Sequence, residues 1–150
     1  MTDLSKTLVQ DVFSPAPIVL EETQTLGDAY EALVGESISG VPVTDSEGDL
    51  IGVVSASDLL VAFAPFLDPQ EDAPVSADLQ DLKNTLLSEH VQGPPLTCRE
   101  NTLLPEACQL MQREGVHRLV VVAGDEIRGV VSSLDIVRAV AGWGRQIQIE

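Results

Sequence analysis

Lysine is almost missing from this 150-residue chain: two lysines and six arginines stand against 24 aspartates and glutamates, for a net charge of −16. A surface of that sign repels a phosphodiester backbone, so nucleic acid is not the expected partner. Cysteine is as scarce. Cys98 and Cys108 form no Cys-x-x-Cys pair, a cytosol would keep them reduced, and His90 and His117 add no converging set, so neither zinc nor any other metal is expected. Long apolar runs are also missing: none approaches the roughly 20 residues of a membrane span, and the N-terminus lacks a basic stretch leading into an apolar one. The chain therefore reads as cytoplasmic, without a membrane partner. No Ser-His-Asp or Cys-His set and no phosphate-gripping Gly-rich loop with its lysine occurs, which argues against an enzyme.

What is present is ample apolar content, 44%, enough to bury a core. Charge is uneven: residues 1–75 carry 14 acids and one base, and 76–150 carry 10 acids and seven bases. An anionic ligand should keep its phosphates on the second half. The acidity with few lysines also fits adaptation to a salty interior.

The chain says the same thing twice. Gly52-Val53-Val54-Ser55-Ala56-Ser57-Asp58 returns 77 residues later as Gly129-Val130-Val131-Ser132-Ser133-Leu134-Asp135. Outside the motif Glu22 falls on Glu100, Leu26 on Leu104, Ala29 on Ala107, Val43 on Val121 and Ala62 on Ala139. Two copies are too few for a solenoid and must bury their apolar faces together. Each copy reads as a proline-bearing opening segment (12–22 and 90–100), a helix, two β-branched strands (41–44 with 50–55, and 118–122 with 127–132) and a closing helix (57–66 and 134–141). Thr25 with Asp28 caps the first helix, Thr102 is expected to cap its counterpart, and Gly142 to stop the last. The organisation follows: one copy over 9–66, a second over 90–143, and between them an acidic linker (67–74) with an amphipathic helix over 75–89, capped by Ser76 and expected to pack on the core.

The repeated motif sits where a buried strand turns into a helix. A helix N-terminus offers unpaired N–H groups and partial positive charge, the serine can cap it or meet a ligand oxygen, the aspartate can accept two hydrogen bonds from adjacent ribose hydroxyls, and the glycine lets a ligand approach the strand. Ser-x-x-Asp at a helix start is equally an ordinary cap. Repetition in one structural setting favours the ligand.

On these residues, with Val116-His117-Arg118-Leu119-Val120-Val121-Val122 leading into the second motif, the chain resembles a tandem pair of cystathionine-beta-synthase (CBS) domains, a Bateman module. Its second repeat is similar to those of the AMP-activated protein kinase gamma subunit. The resemblance implies an α/β (α+β) fold of two pseudo-symmetric β-α-β-β-α repeats packed sheet to sheet, with two clefts for adenosyl ligands. Asp58 and Asp135 would then hold ribose, Ser55, Ser57, Ser132 and Ser133 would meet ribose or phosphate, His117 and Arg118 would meet phosphates, and the residues near Ile18, Val41, Pro42, Leu96 and Leu119 would sandwich adenine. Opposite His117 and Arg118 the first copy has Ser39 and Gly40, so its phosphate equipment is missing and one cleft is expected to be empty. Arg128, Arg138 and Arg145 add positive potential, Arg138 within reach of Asp135 and Arg145 in a tail; Trp143 is expected at a subunit interface or against the core. The expected function is a regulatory module with no obligatory cofactor, binding AMP foremost, another adenine nucleotide (ATP with Mg2+) or S-adenosylmethionine, and acting through a homodimer or an unnamed target protein. The alternative is a ligand-free dimerisation or adaptor module whose motifs only cap helices.

Overall fold

The computed structural model describes residues 3–15, 18–36, 38–67, 76–91 and 94–149, without the side chains of 65–67, 76–79 and 143–149. In chain order the elements are β1 (Ser14–Pro15), β2 (Leu20–Glu21), α1 (Leu26–Gly35), β3 (Gly40–Thr44), β4 (Leu50–Ser55), α2 (Ala56–Leu67), α3 (Ser76–Lys83), β5 (Thr97–Cys98), α4 (Leu104–Glu114), β6 (Arg118–Ala123), β7 (Glu126–Ser132) and α5 (Ser133–Ile149). Short 3-10 turns occupy Leu4–Lys6, Val9–Asp11 and Leu87–Glu89. The mixed α/β class with two separate sheets matches the expected repeat.

The chain forms two compact units that cut across the sequence copies. One unit joins the N-terminal segment through Pro15 to everything from Leu96 onward, and the other runs from Ile18 to Pro95. Each unit thus takes in a short turn, Val9–Asp11 or Leu87–Glu89, that lies near the start of the other copy in sequence. In the 18–95 unit, Leu87 is fully buried and its amide donates to the Gln24 carbonyl at 2.8 Å, while the Leu26 amide donates to the Thr85 carbonyl at 3.0 Å. In the other unit Val9 plays the same part: its amide donates to the Thr102 carbonyl at 2.8 Å, and the Leu104 amide donates to the Thr7 carbonyl at 2.7 Å. These bonds satisfy helix-start N–H groups that would otherwise lack partners.

The 18–95 unit has a three-stranded sheet ordered β2-β3-β4, β2 parallel and β4 antiparallel to β3. Val41, Val43 and Val54 point into a core shared with Leu20, Leu26, Ala29, Leu33, Leu59 and Leu87. Leu82 of α3 packs on that core, as expected of the added helix. That helix is shorter than its apolar spacing suggests: it stops at Lys83, and the Thr85 hydroxyl donates back to the Asp81 carbonyl at 3.1 Å, turning the chain toward Leu87. Most of the expected linker, 68–74, and the position before Ser76 lie outside the described residues.

The other unit has the order β1-β7-β6-β5, with β1 antiparallel to β7 and β5 parallel to β6. Leu119, Val121 and Val131 face Val9, Cys98, Ala107 and Met111 in its core. The proline-bearing opening segments provide only edge strands in this sheet, in keeping with a residue that cannot donate to a ladder.

The two first helices start differently. Thr25 and Asp28 form a reciprocal cap, the Asp28 amide donating to Thr25 Oγ1 at 3.2 Å and the Thr25 amide to Asp28 Oδ2 at 3.0 Å. Thr102 does not cap α4, contrary to expectation. Its Oγ1 accepts from the Arg99 amide at 2.9 Å, Leu103 takes the cap position without a side-chain bond, and Pro105 sits in the first turn. Gly115, at φ 66°, closes α4 in the left-handed conformation, and the Val116 amide donates to the Met111 carbonyl at 3.0 Å. Gly142 does not end the last helix: α5 continues to Ile149, so Arg145 is helical rather than in a tail. The side chains of Trp143 and Arg145 lie outside the described set.

Candidate functional site: two strand-to-helix corners

Each copy of the motif places its serine at the end of a buried strand and its aspartate in the first turn of a helix. Ser55, 3% exposed, ends β4, and Ser132, 6% exposed, ends β7. At the first corner the Ser55 amide and hydroxyl donate to Asp58 Oδ2 at 2.7 and 2.9 Å, and the Asp58 amide donates to Ser55 Oγ at 3.2 Å. At the second the Ser132 amide donates to Asp135 Oδ2 at 2.9 Å, and the Asp135 amide donates to Ser132 Oγ at 3.1 Å. Both motifs are therefore reciprocal caps, the local role that the sequence pattern allowed beside the ligand role. The corners differ in the carboxylate: Asp58 is exposed, whereas Asp135 is half-buried and its Oδ1 accepts the Ser14 hydroxyl at 3.1 Å. Ser14 was not among the sequence candidates. A hydroxyl in an opening segment carries no sign of which strand it will meet.

Backbone geometry confirms the equivalence of the copies at the residues where they diverge. The Ala56 amide donates to the Ser39 carbonyl at 3.3 Å, and the Ser133 amide to the His117 carbonyl at 2.9 Å. Gly40 pairs in register with Ser55 as Arg118 does with Ser132. Serine and glycine thus stand, position for position, where the other corner has histidine and arginine.

His117 and Arg118, consecutive in sequence, lie in different settings: His117 is exposed and Arg118 half-buried. His117 and Ser133 line an apolar groove of about 490 Å3 between α4 and α5, walled by Met111, Val116, Ile136 and Val137, and that lining includes neither Arg118, Ser132 nor Asp135. Consecutive residues at the start of a strand point to opposite sides. Arg118 is half-buried at the head of β6, Ser57 and Ser133 are exposed, and the serines beside the carboxylates are the buried Ser55 and Ser132.

Of the residues expected around adenine, Val41 and Leu119 are 0% exposed, and both side chains belong to the hydrophobic cores. Only their main chain is left to meet a ligand, because a strand buried on one face has no side chain to spare there. Pro42 is also fully buried, while Ile18 and Leu96 are half-buried and pack at the margins of the two cores. The glycine of the second motif is not open either. A Cβ at Gly129 would collide with the Ser14 carbonyl oxygen and stand 2.8 Å from the Phe13 ring, so that space is filled by β1.

The basic residues are partly engaged. Arg128 pairs with Glu100 at 2.9 Å and Glu126 at 3.1 Å, and the hydrogen bond to Glu126, then the Glu100 charge, raise its pKa further. Arg138 is exposed and forms no ion pair with Asp135 among the described residues. By unit, residues 17–95 hold 15 acids against the single base Lys83, while the remainder holds nine acids against seven bases. The asymmetry of charge is thus sharper between folded units than between halves of the sequence. Burial pushes the Cys98 thiol up to about 11 and raises Cys108 as well, which keeps both protonated near neutrality. The acidic cluster Asp45, Glu47 and Asp49 is a turn in which Asp45 Oδ1 accepts both the Glu47 and Asp49 amides at 2.9 Å.

The fold and the paired corners define a tandem repeat with a carboxylate at each strand-to-helix turn, and the comparisons give the class a name. The CBS-domain profile matches residues 9–65 and 87–142. The chain belongs to the CBS-domain family. Among relatives, CBSX2, a chloroplastic CBS-domain protein of Arabidopsis thaliana, is 28% identical over 81% of this chain and 57% of its own length. The gamma-3 subunit of the 5'-AMP-activated protein kinase from Bos taurus is 32% identical over 81% of this chain and 23% of its own. The chain thus spans about half, or less, of these relatives. Among solved structures, AcuB of Vibrio cholerae superposes with a TM-score of 0.71 at 26% identity, covering 96% of this chain and 97% of that one. A CBSX2 structure in complex with AMP superposes with a TM-score of 0.67 at 27% identity, covering 91% and 98%. Among the described residues no helix is long and apolar enough to cross a membrane.

Proposed function

We propose that this CBS pair is a regulatory, non-catalytic module that binds an adenosyl ligand at the corner of its second repeat and passes the bound state to its own homodimer or to a target protein. The observation that carries this reading is the Asp135 corner. A half-buried carboxylate, oriented by the Ser132 amide at a helix N-terminus, is set in the less acidic unit with Arg118 at the head of the neighbouring strand. The similarity to CBSX2, whose structure contains AMP, supports the ligand class. AMP, or S-adenosylmethionine with its cationic sulfonium, suits so acidic a protein better than ATP, which would need Mg2+ to offset its charge. Ribose hydroxyls would donate to Asp135, Arg118 would face phosphate, and the main chain near Leu96 and Leu119 would meet adenine. His117, which borders the α4–α5 groove with Ser133, would meet phosphate beside Arg118, and Ser133 would meet ribose or phosphate.

The adaptor reading also has a specific observation behind it: both Ser-x-x-Asp motifs already serve as helix caps. A thermal-shift panel separates the two. AMP, ADP, ATP, S-adenosylmethionine and NADH are each tested with and without Mg2+. A ligand present at about 100 times its Kd should stabilise the fold by about 2.7 kcal/mol. No shift with any of these compounds would leave the adaptor reading standing.

A further inference from the structure

We propose that Ser14 is a latch on Asp135, closed in the ligand-free protein and opened when a sugar diol takes the carboxylate. The proposal rests on the ligand reading above. Asp135 has two oxygens: Oδ2 is held by the Ser132 amide at 2.9 Å as part of the start of α5, and Oδ1 accepts the Ser14 hydroxyl at 3.1 Å in an exposed setting. A vicinal diol binds a carboxylate best with one hydroxyl on each oxygen. The Ser132 bond belongs to the helix cap and is retained. The Ser14 bond is the one a ligand must compete with, and an exposed bond from a neutral hydroxyl is cheap to exchange for another.

The strand carrying Ser14 is built to come loose at that point. β1 is an edge strand of two residues, paired Ser14 to Val130 and Pro15 to Gly129, and Pro15 has no N–H to give to the ladder. Its close seating depends on the missing Cβ of Gly129. Just upstream the chain is pinned: the Val9 and Gln10 amides donate to the Thr102 and Glu100 carbonyls at 2.8 and 2.9 Å, and the Phe13 amide donates to the Val9 carbonyl at 3.0 Å. Downstream of Pro15 the chain leaves this unit for the one that begins near Ile18.

The test is calorimetric titration of AMP, and separately of S-adenosylmethionine, into the full chain, Ser14→Ala and Ser14→Thr, with amide hydrogen exchange of Phe13 and Ser14 followed in parallel. Ser14→Ala should bind about three- to tenfold more tightly, and Ser14→Thr, which keeps the hydroxyl, should match the natural protein. Ligand should speed exchange at position 14 in the natural protein, leave the pinned Phe13 amide unchanged, and add little at position 14 in Ser14→Ala, where exchange is already fast. Weaker or unchanged binding by Ser14→Ala, or exchange slowed by ligand, overturns the latch and leaves the ligand reading intact. Absence of binding in all three proteins overturns both.

Discussion

The two corners of this molecule share a backbone and differ in what surrounds it. Asp58 and Asp135 cap equivalent helices with the same serine geometry. Around Asp58 the unit is almost purely acidic, the facing positions are Ser39 and Gly40, and the carboxylate is exposed. Around Asp135 the unit is near balance, the facing positions are His117 and Arg118, and a second hydroxyl reaches the carboxylate from the N-terminal segment. A repeated cap is therefore a structural constant, and the two corners differ only in what surrounds it, which is where the proposed ligand preference is to be sought.

The largest effect should come from the exchanged opening segments. Leu87→Ala removes a fully buried anchor from the 18–95 unit and should cost about 3 kcal/mol. Val9→Ala removes a smaller one from the other unit and should cost about 2 kcal/mol by the same rule. Urea unfolding measures both. If each unit stands without its borrowed turn, both variants will unfold within 0.5 kcal/mol of the natural protein, roughly the range of neutral surface changes.

A smaller effect separates the two first helices. Thr25→Ala breaks a reciprocal cap and should cost about 1 kcal/mol, with α1 fraying first in hydrogen exchange. Thr102→Ala leaves the α4 cap position unchanged and should leave α4 exchange unchanged, losing only the Arg99 turn bond. Equal fraying of α1 and α4 would mean that Thr102 caps after all.

A further effect is one of pH, confined to the unit that holds Cys98. Its thiol titrates near 9 when unfolded and near 11 when folded, so the folded state favours the protonated form. That contribution is complete below pH 9 and is lost as pH rises through about 11. Cys98→Ala should flatten the stability profile between those values. A slope unchanged in that variant would place its origin elsewhere.

Much of the fold was legible because its determinants are local. Thr25 with Asp28, the β-branched runs at 41–44 and 118–122, and the repeated corner all write their structure into adjacent residues. The exchange of opening turns was not, because Val9 meeting Thr102 and Leu87 meeting Gln24 are tertiary pairings with no local sign. Thr102 failed as a cap for a related reason: its carbonyl and hydroxyl are both taken, one by the borrowed Val9 and the other by the preceding turn. α5 runs through Gly142 and Gly144 because each interior glycine costs a helix only about 1 kcal/mol, too little to stop a helix already under way. At the site, the motif gave Asp58 and Asp135 but not the orientation of His117, which depends on how the chain bends into β6. It also gave no hint of Ser14, which lies in the other copy.

The difference between the corners is tested most directly by titrating AMP calorimetrically into Asp135→Ala and Asp58→Ala beside the natural protein. Loss of a charged acceptor for ribose should weaken binding about 30-fold or more in Asp135→Ala, while Asp58→Ala stays within about twofold. Equal losses in the two variants, or a greater loss in Asp58→Ala, would contradict a single working corner.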